Sequence, residues 1–241
     1  MAELDLPPGP AELLEAVRRP IGRHLGGERH MYLGGGTALA ARWAHRHSTD
    51  VDLFTDSRSH SRLFRNHLQF SADLERVPGG IKLSGVGPGY AIIHLEHGEI
   101  TLLVSSDLTA RPISADTVRG TRVSLETNAE ILAKKLHYRL NAPQFVPRDL
   151  YDIAVARRRD LKALDTALTA FPTDTLRDIR ENLALLDRDW AKEHPVSLLQ
   201  PIHPQDAADS VAIVHHLIGR HLDGREPPAP RHPSISPARG R

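Results

Sequence analysis

The hydrophobic positions fall into two regimes along the chain. Leu13, Leu14, Val17, Ile21 and Leu25 recur at helical spacing, enter after Pro7, Pro8 and Pro10, and stop at Gly26-Gly27, which predicts a first helix. Met31-Tyr32-Leu33 is a short apolar run broken by Gly34-Gly35-Gly36. Thr37 then opens ALAARWAHRH, whose alanine and leucine content favours a helix with Thr37 as its N-cap. Asp50 to Phe54 alternates acid and apolar residues, the two-residue period of a strand, and a polar helix is expected over about 59–76. Tyr90 to Leu95 and Glu99 to Val104 flank His97-Gly98 and read as a hairpin that extends the sheet.

From about Thr127 the pattern turns helical. Ile131, Leu132, Leu136 and Leu140 form one stripe, Leu150, Ile153 and Ala154 another, and further helices are expected over 161–171, 173–190 and 204–222. The expected class is α/β (α+β): a small mixed sheet flanked by helices over residues 1–125, then a helical region over 126–225. The last stretch, EPPAPRHPSISPARGR (226–241), is rich in proline with too little apolar content to offset the entropy of ordering, and reads as a disordered tail.

Composition narrows the chemistry. Of 241 residues, 40% are hydrophobic, enough for a sizeable core, and 31 Lys+Arg against 30 Asp+Glu leave +1, so a polyanion must be met by a local patch. There is no cysteine, which excludes disulfides, iron–sulfur clusters and thiolate zinc sites. No apolar run approaches the roughly 20 residues that span a bilayer, and no leader is evident, so a cytoplasmic location without membrane partners is expected.

The strongest constellation runs from Gly34 to Phe54. Asp50 and Asp52 project from one face of a strand with Val51 turned to the core. Such a pair suits Mg²⁺, which takes hard oxygen ligands and completes its shell with water and phosphates; two ions roughly 3.5–4 Å apart are the pattern of phosphoryl-transfer sites. Upstream, Gly35 and Gly36 let a phosphate approach the backbone, and the amides opening the Thr37 helix point at it. Alone, Asp-x-Asp is more often a solvated turn and a glycine triplet a tight turn. Joined, one places phosphates and the other the metals that phosphates require. Arg46 and Ser48 lie just before Asp50, where they either touch phosphate or base, or brace the loop.

This arrangement resembles the first motif of polymerase-β-type nucleotidyltransferases, and GGTALA…HRHSTDVDLF is similar to the AbiEii/AbiGii toxin family, the nucleotidyltransferase component of type IV toxin–antitoxin systems. A second block, AEILAKKLHYRLNAPQFVPRDLYDIA, resembles that family's later motif; together they cover about residues 30–155. Lys135 and Arg139 are four apart on one helical face and could balance charge on a transferring phosphoryl group, although a solvated basic face is the plain alternative. Lys134, adjacent, should point elsewhere. Asp149 and Asp152 share a face of the next helix; for Arg148 with Asp152 the plain reading is a surface ion pair.

One departure stands out. These enzymes usually carry a third carboxylate on a later strand, whereas EITLLVSSD offers Thr101, Leu102 and Leu103 at its centre, with Glu99 and Asp107 at the ends. The resemblance suggests Asp149 as the replacement. The fifteen histidines form no compact zinc set and read as surface residues. Walker, Rossmann and nucleophile-elbow sequences are absent. The expectation is therefore an Mg²⁺-dependent enzyme that moves a nucleoside monophosphate from an NTP to an acceptor hydroxyl. By resemblance the acceptor is a tRNA or other RNA end and control comes from a separately encoded antitoxin, with Arg157-Arg158-Arg159 available to an RNA backbone or merely to solvent. The alternatives are a protein or small-molecule acceptor, or a degenerate, non-catalytic nucleotide-binding module.

Overall fold

The computed structural model describes residues 4–78, 81–95, 98–187, 190–193 and 200–225; the expected tail at 226–241 lies outside them. Helix α1 (Pro8–Leu25) ends where Gly26 turns left-handed at φ 94°, and buries Leu13, Leu14, Val17, Ile21 and Leu25 as the spacing requires. Strand β1 (Tyr32–Gly34), helix α2 (Gly35–Trp43) and strand β2 (Val51–Thr55) follow. The polar segment that reads as one helix is two, α3 (Ser57–Arg65) and α4 (His67–Glu75). Asn66 breaks them because its side-chain amide donates to the Arg62 carbonyl at 2.9 Å, competing with the helical ladder.

Strands β3 (Lys82–Gly87), β4 (Tyr90–Leu95), β5 (Gly98–Val104), β6 (Ile113–Val118) and β7 (Thr121–Glu126) complete a seven-stranded mixed sheet of order β3-β4-β5-β2-β1-β7-β6. β2 pairs parallel with β5 and β1 parallel with β7; the other pairs are antiparallel. The β4–β5 hairpin agrees with the sequence reading, although residues 96 and 97 of its turn lie outside the described set. β3, β6 and β7 have no strong apolar alternation: KLSGVG is glycine-rich, and ISADTV and TRVSLE are mostly half-buried, so little in the pattern announces them.

Helix α5 (Asn128–Lys135) is capped by Thr127, whose hydroxyl accepts the Glu130 N–H, and runs on as a π-helical turn over Leu136–Leu140. Helices α6 (Pro147–Arg159), α7 (Leu161–Thr169), α8 (Thr173–Ala184), α9 (Trp190–Glu193), α10 (Pro204–Ala208) and α11 (Ser210–Arg225) form the helical region. One core joins it to the sheet, from Val17 and Ile21 through Leu53 and Leu102 to Leu150, Ile153 and Leu164.

The central strands β2 and β5 divide the chemistry of the two sheet faces. Val51, Leu53, Ile100 and Leu102 are fully buried beneath α1, which leaves Asp52, Phe54, Thr101 and Leu103 on the other face. Truncating the buried face removes packing that the rigid sheet cannot recover. Leu53→Ala should cost about 2–5 kcal/mol in urea denaturation; a loss below 1 kcal/mol would contradict this packing.

Candidate active site

Three consecutive glycines each leave room for a different functional group. A side chain at Gly34 would strike the Glu126 carboxylate and the Phe54 ring, one at Gly35 the Asp52 carboxylate, and one at Gly36 the Arg46 guanidinium. Gly34 is paired across the sheet with Asp52, and Gly35 adopts φ 63°, a conformation that L side chains resist. Helix α2 therefore starts at Gly35, not at Thr37. Thr37 is inside the first turn and buried, its hydroxyl 2.7 Å from Ser48 Oγ and donating to the Asp50 carbonyl in a short contact. The N-cap expectation fails because the cap is Gly34, three residues earlier; the hydroxyl instead ties α2 to the loop that delivers Asp50.

A buried ionic network joins that loop to the helical region. Asp152, fully buried on α6, accepts from Arg46 Nε at 2.7 Å and Nη2 at 3.0 Å, lies 2.7 Å from His45 Nε2, and is 3.1 Å from Lys135 Nζ. The expected surface pair with Arg148 is thus replaced by an interior one. Burial alone would raise the Asp152 pKa, but Arg46 and Lys135 outweigh it and hold the carboxyl well below its ordinary value. Lys135 also donates to Asp149 in a short contact; burial works against its charge, yet Asp149 and Asp152 raise its pKa overall. Arg139 reaches Asp149 at 3.6 Å. His45 and His60 are buried, against the reading of the histidines as surface groups.

Beside this network lies a cavity of about 680 Å³, within the range of small-molecule sites. Gly35, Gly36, Thr37, Arg46 and Ser48 line it from the α2 side. Asp52 lines it from β2, Asp50 from the residue just before that strand rather than from the strand itself, and Lys135, Arg139 and Asp149 from the helical side, so all ten candidate site residues meet in one place. Arg46 and Ser48 brace the loop and face the cavity at once.

A family model described as nucleotidyl transferase AbiEii toxin, type IV TA system, matches residues 22–211. The chain belongs to the AbiEii nucleotidyltransferase toxin family. Among solved structures it is similar to a protein from H. pylori named provisionally as a nucleotidyltransferase, at 17% identity over 90% of this chain and 98% of that one, with a TM-score of 0.47. It is also similar to ANT(2″)-Ia in complex with adenylyl-2″-tobramycin, at 11% identity over 72% and 97% of the two chains and a TM-score of 0.40. A solution structure of the antibiotic-resistance factor ANT(2″)-Ia gives 12% identity over 71% and 92%, with a TM-score of 0.39. No curated protein matches the sequence.

Within this AbiEii nucleotidyltransferase the donor set at Asp50 and Asp52 fits a divalent cation. Both are oxygen ligands that line the cavity; burial raises the Asp52 pKa, with Lys135 and Arg148 opposing and Asp149 and Asp50 adding repulsion that a cation would relieve. Thr101 is paired with Asp52 in the β2–β5 ladder, where a strand carboxylate would complete the set, and bonds Glu99 Oε1 at 3.1 Å. Asp149 is taken up by Lys135 and Arg139, and no group of three or more acids or histidines converges among the described residues.

Of two further polar cavity residues, Glu126 escapes the sequence reading and Lys134 is set aside by it. Glu126 at the end of β7 is buried, and its Oε1 accepts from Lys134 in a short contact. Lys134 does not point away: its ammonium also bonds Ser105 Oγ at 2.5 Å and sits 4.4 Å from the centroid of the Phe54 ring. Burial, only partly offset by Lys134, pushes the Glu126 carboxyl up to about 7. The missing side chain at Gly34 is what admits it, a signal legible only once β1 and β7 are known to be neighbours.

Two outcomes follow from these charges. Removing one partner of the buried network by Asp152→Ala should cost about 3–5 kcal/mol by chemical denaturation, and a change under 1 kcal/mol would contradict it. Glu126 binds its proton more tightly folded than unfolded, so its contribution to stability falls as pH rises from about 4.5 to about 7. The melting temperature of Glu126→Gln, compared with wild type across that window, should lack this part of the decline; parallel curves would refute the assignment.

Proposed function

We propose that the chain is an Mg²⁺-dependent nucleotidyltransferase that transfers a nucleoside monophosphate from an NTP to a hydroxyl at an RNA end, tRNA being the favoured acceptor, as the toxin of a type IV toxin–antitoxin pair held in check by a separately encoded antitoxin. The observation that carries the reading is that one cavity is lined by Asp52 on β2, by Asp50 just before it, by the first residues of α2 and by the cations of α5 and α6.

Gly35, Gly36 and Thr37 present the start of helix α2 to the triphosphate. Asp50 and Asp52 would hold the divalent ions, which when bound neutralise the phosphates and lower the barrier to attack at phosphorus. Arg46, Lys135 and Arg139 offset charge as it builds on the leaving group, and Asp149 with Asp152 fixes the lysine in place. The acceptor oxygen forms a bond to the α-phosphorus, the bond to the β-phosphate oxygen breaks, pyrophosphate leaves, and the hydroxyl proton passes to a carboxylate or to solvent. Glu99, which lines the cavity and accepts a hydrogen bond from Thr101, would be the carboxylate that takes it.

The same Thr101 favours one rival, a module that binds nucleotide without transferring it. No helix of the described residues is long and apolar enough to cross a membrane. Incubating the protein with Mg²⁺, each α-labelled NTP, and total RNA or total protein separates the readings. Label should appear on RNA and fall at least a hundredfold in the Asp50→Asn, Asp52→Asn double variant. Label on protein alone rejects the RNA acceptor, and NTP binding without pyrophosphate release from any acceptor supports the rival.

A further inference from the structure

Across the glycine triplet the cavity groups are ordered. Gly36 faces Arg46, Gly35 faces Asp52, and Gly34 faces Glu126 with Phe54. If the metal-holding carboxylate marks the α-phosphate, the phosphates beyond it extend towards Arg46 and Lys135, and the nucleoside leaves on the opposite side, over Gly34. The part of a nucleoside joined directly to the α-phosphate is the ribose.

At that place Glu126 is 1% exposed, and its Oε2 has no hydrogen-bond partner although the residue lines the cavity. Its other oxygen is fixed by Lys134, which Ser105 holds in turn. The arrangement is therefore anchored at one oxygen and free at the other. A buried carboxylate oxygen left without a donor costs its full desolvation, and one carried by a residue that lines a ligand cavity calls for a partner from the ligand. Ionised, a carboxylate only accepts hydrogen bonds, and the ribose hydroxyls are donors of matching chemistry. A base stacked on Phe54 is the less suitable occupant, because the Lys134 ammonium already sits over that ring.

Resting on the nucleotidyltransferase reading above, we infer that Glu126 is a sugar-recognition residue whose Oε2 accepts a hydrogen bond from a ribose hydroxyl of the bound NTP, so that the enzyme selects ribonucleoside over deoxyribonucleoside triphosphates. A site built to bond a hydroxyl rejects the analogue lacking it, since the polar group is then buried unpaired.

Equilibrium binding in Mg²⁺ without an acceptor tests this directly, using the four NTPs, their 2′-deoxy and 3′-deoxy counterparts, and inorganic tripolyphosphate. Wild type should bind its preferred NTP at least tenfold more tightly than one of the two deoxy forms. Glu126→Met, which keeps the volume and removes the acceptor, should bring that ratio to within about twofold while tripolyphosphate affinity is retained. Wild type that binds NTPs without discriminating between sugars overturns the inference alone, and does so even if the variant fails to fold. An unchanged ratio in folded Glu126→Met, or an equal loss of tripolyphosphate binding, overturns it as well. Wild type that binds neither NTP nor tripolyphosphate removes the nucleotidyltransferase reading with it.

Discussion

The arrangement depends first on the buried carboxylate of Asp152. It stands on α6, in the helical region, and binds Arg46, His45 and Lys135, which come from the α2–β2 loop and from α5. Two further segments, one of them about a hundred residues away in sequence, are thereby joined to α6 through one anion. A charge buried this deeply is tolerable only with such partners, and it keeps two cations inside a protein that would otherwise expel them. Arg46 and Lys135 are consequently in place before any phosphate arrives, which is the condition for electrostatic stabilisation without reorganisation.

The cavity also shows how small residues create function by what they omit. With side chains at Gly34, Gly35 and Gly36, Glu126, Asp52 and Arg46 would lose their positions. Because β1 lies between β2 and β7, the glycines sit at the meeting point of two carboxylate-bearing strands. Lys134 and Lys135, neighbours in sequence, end in separate ion pairs, one with Glu126 and one with Asp149 and Asp152. The helix thus contributes to both ends of the cavity.

Much of this was legible beforehand because it is local. The alternation at Asp50 to Phe54, the glycine turn and the Lys135 to Arg139 spacing are short-range patterns, and the structure gathers them around one cavity. What could not be read depends on pairing between distant segments. Glu126 looks like any acid at the end of a half-polar strand until β7 is known to lie against β1, and Asp152 resembled half of a surface pair with Arg148 because its partners are a hundred residues away or on another helix. Arg157 and Arg158, open to an RNA or a solvent role by sequence, bond Asp206 at 2.8 and 2.9 Å and so brace α10. The α3–α4 break at Asn66 was missed for a different reason: a side chain capturing a backbone carbonyl leaves no trace in hydrophobic periodicity.

The proposed metal-assisted nucleotide site at β2, with its phosphates seated on the start of α2, is open to direct measurement. Crystals soaked with Mn²⁺ and a non-hydrolysable NTP analogue would test it through the anomalous signal of the metal. Manganese is expected between the Asp50 and Asp52 carboxylates, and phosphate oxygens against the amides of Gly35, Gly36 and Thr37. Nucleotide bound elsewhere, or seated in the cavity with no manganese at those two aspartates, would contradict it.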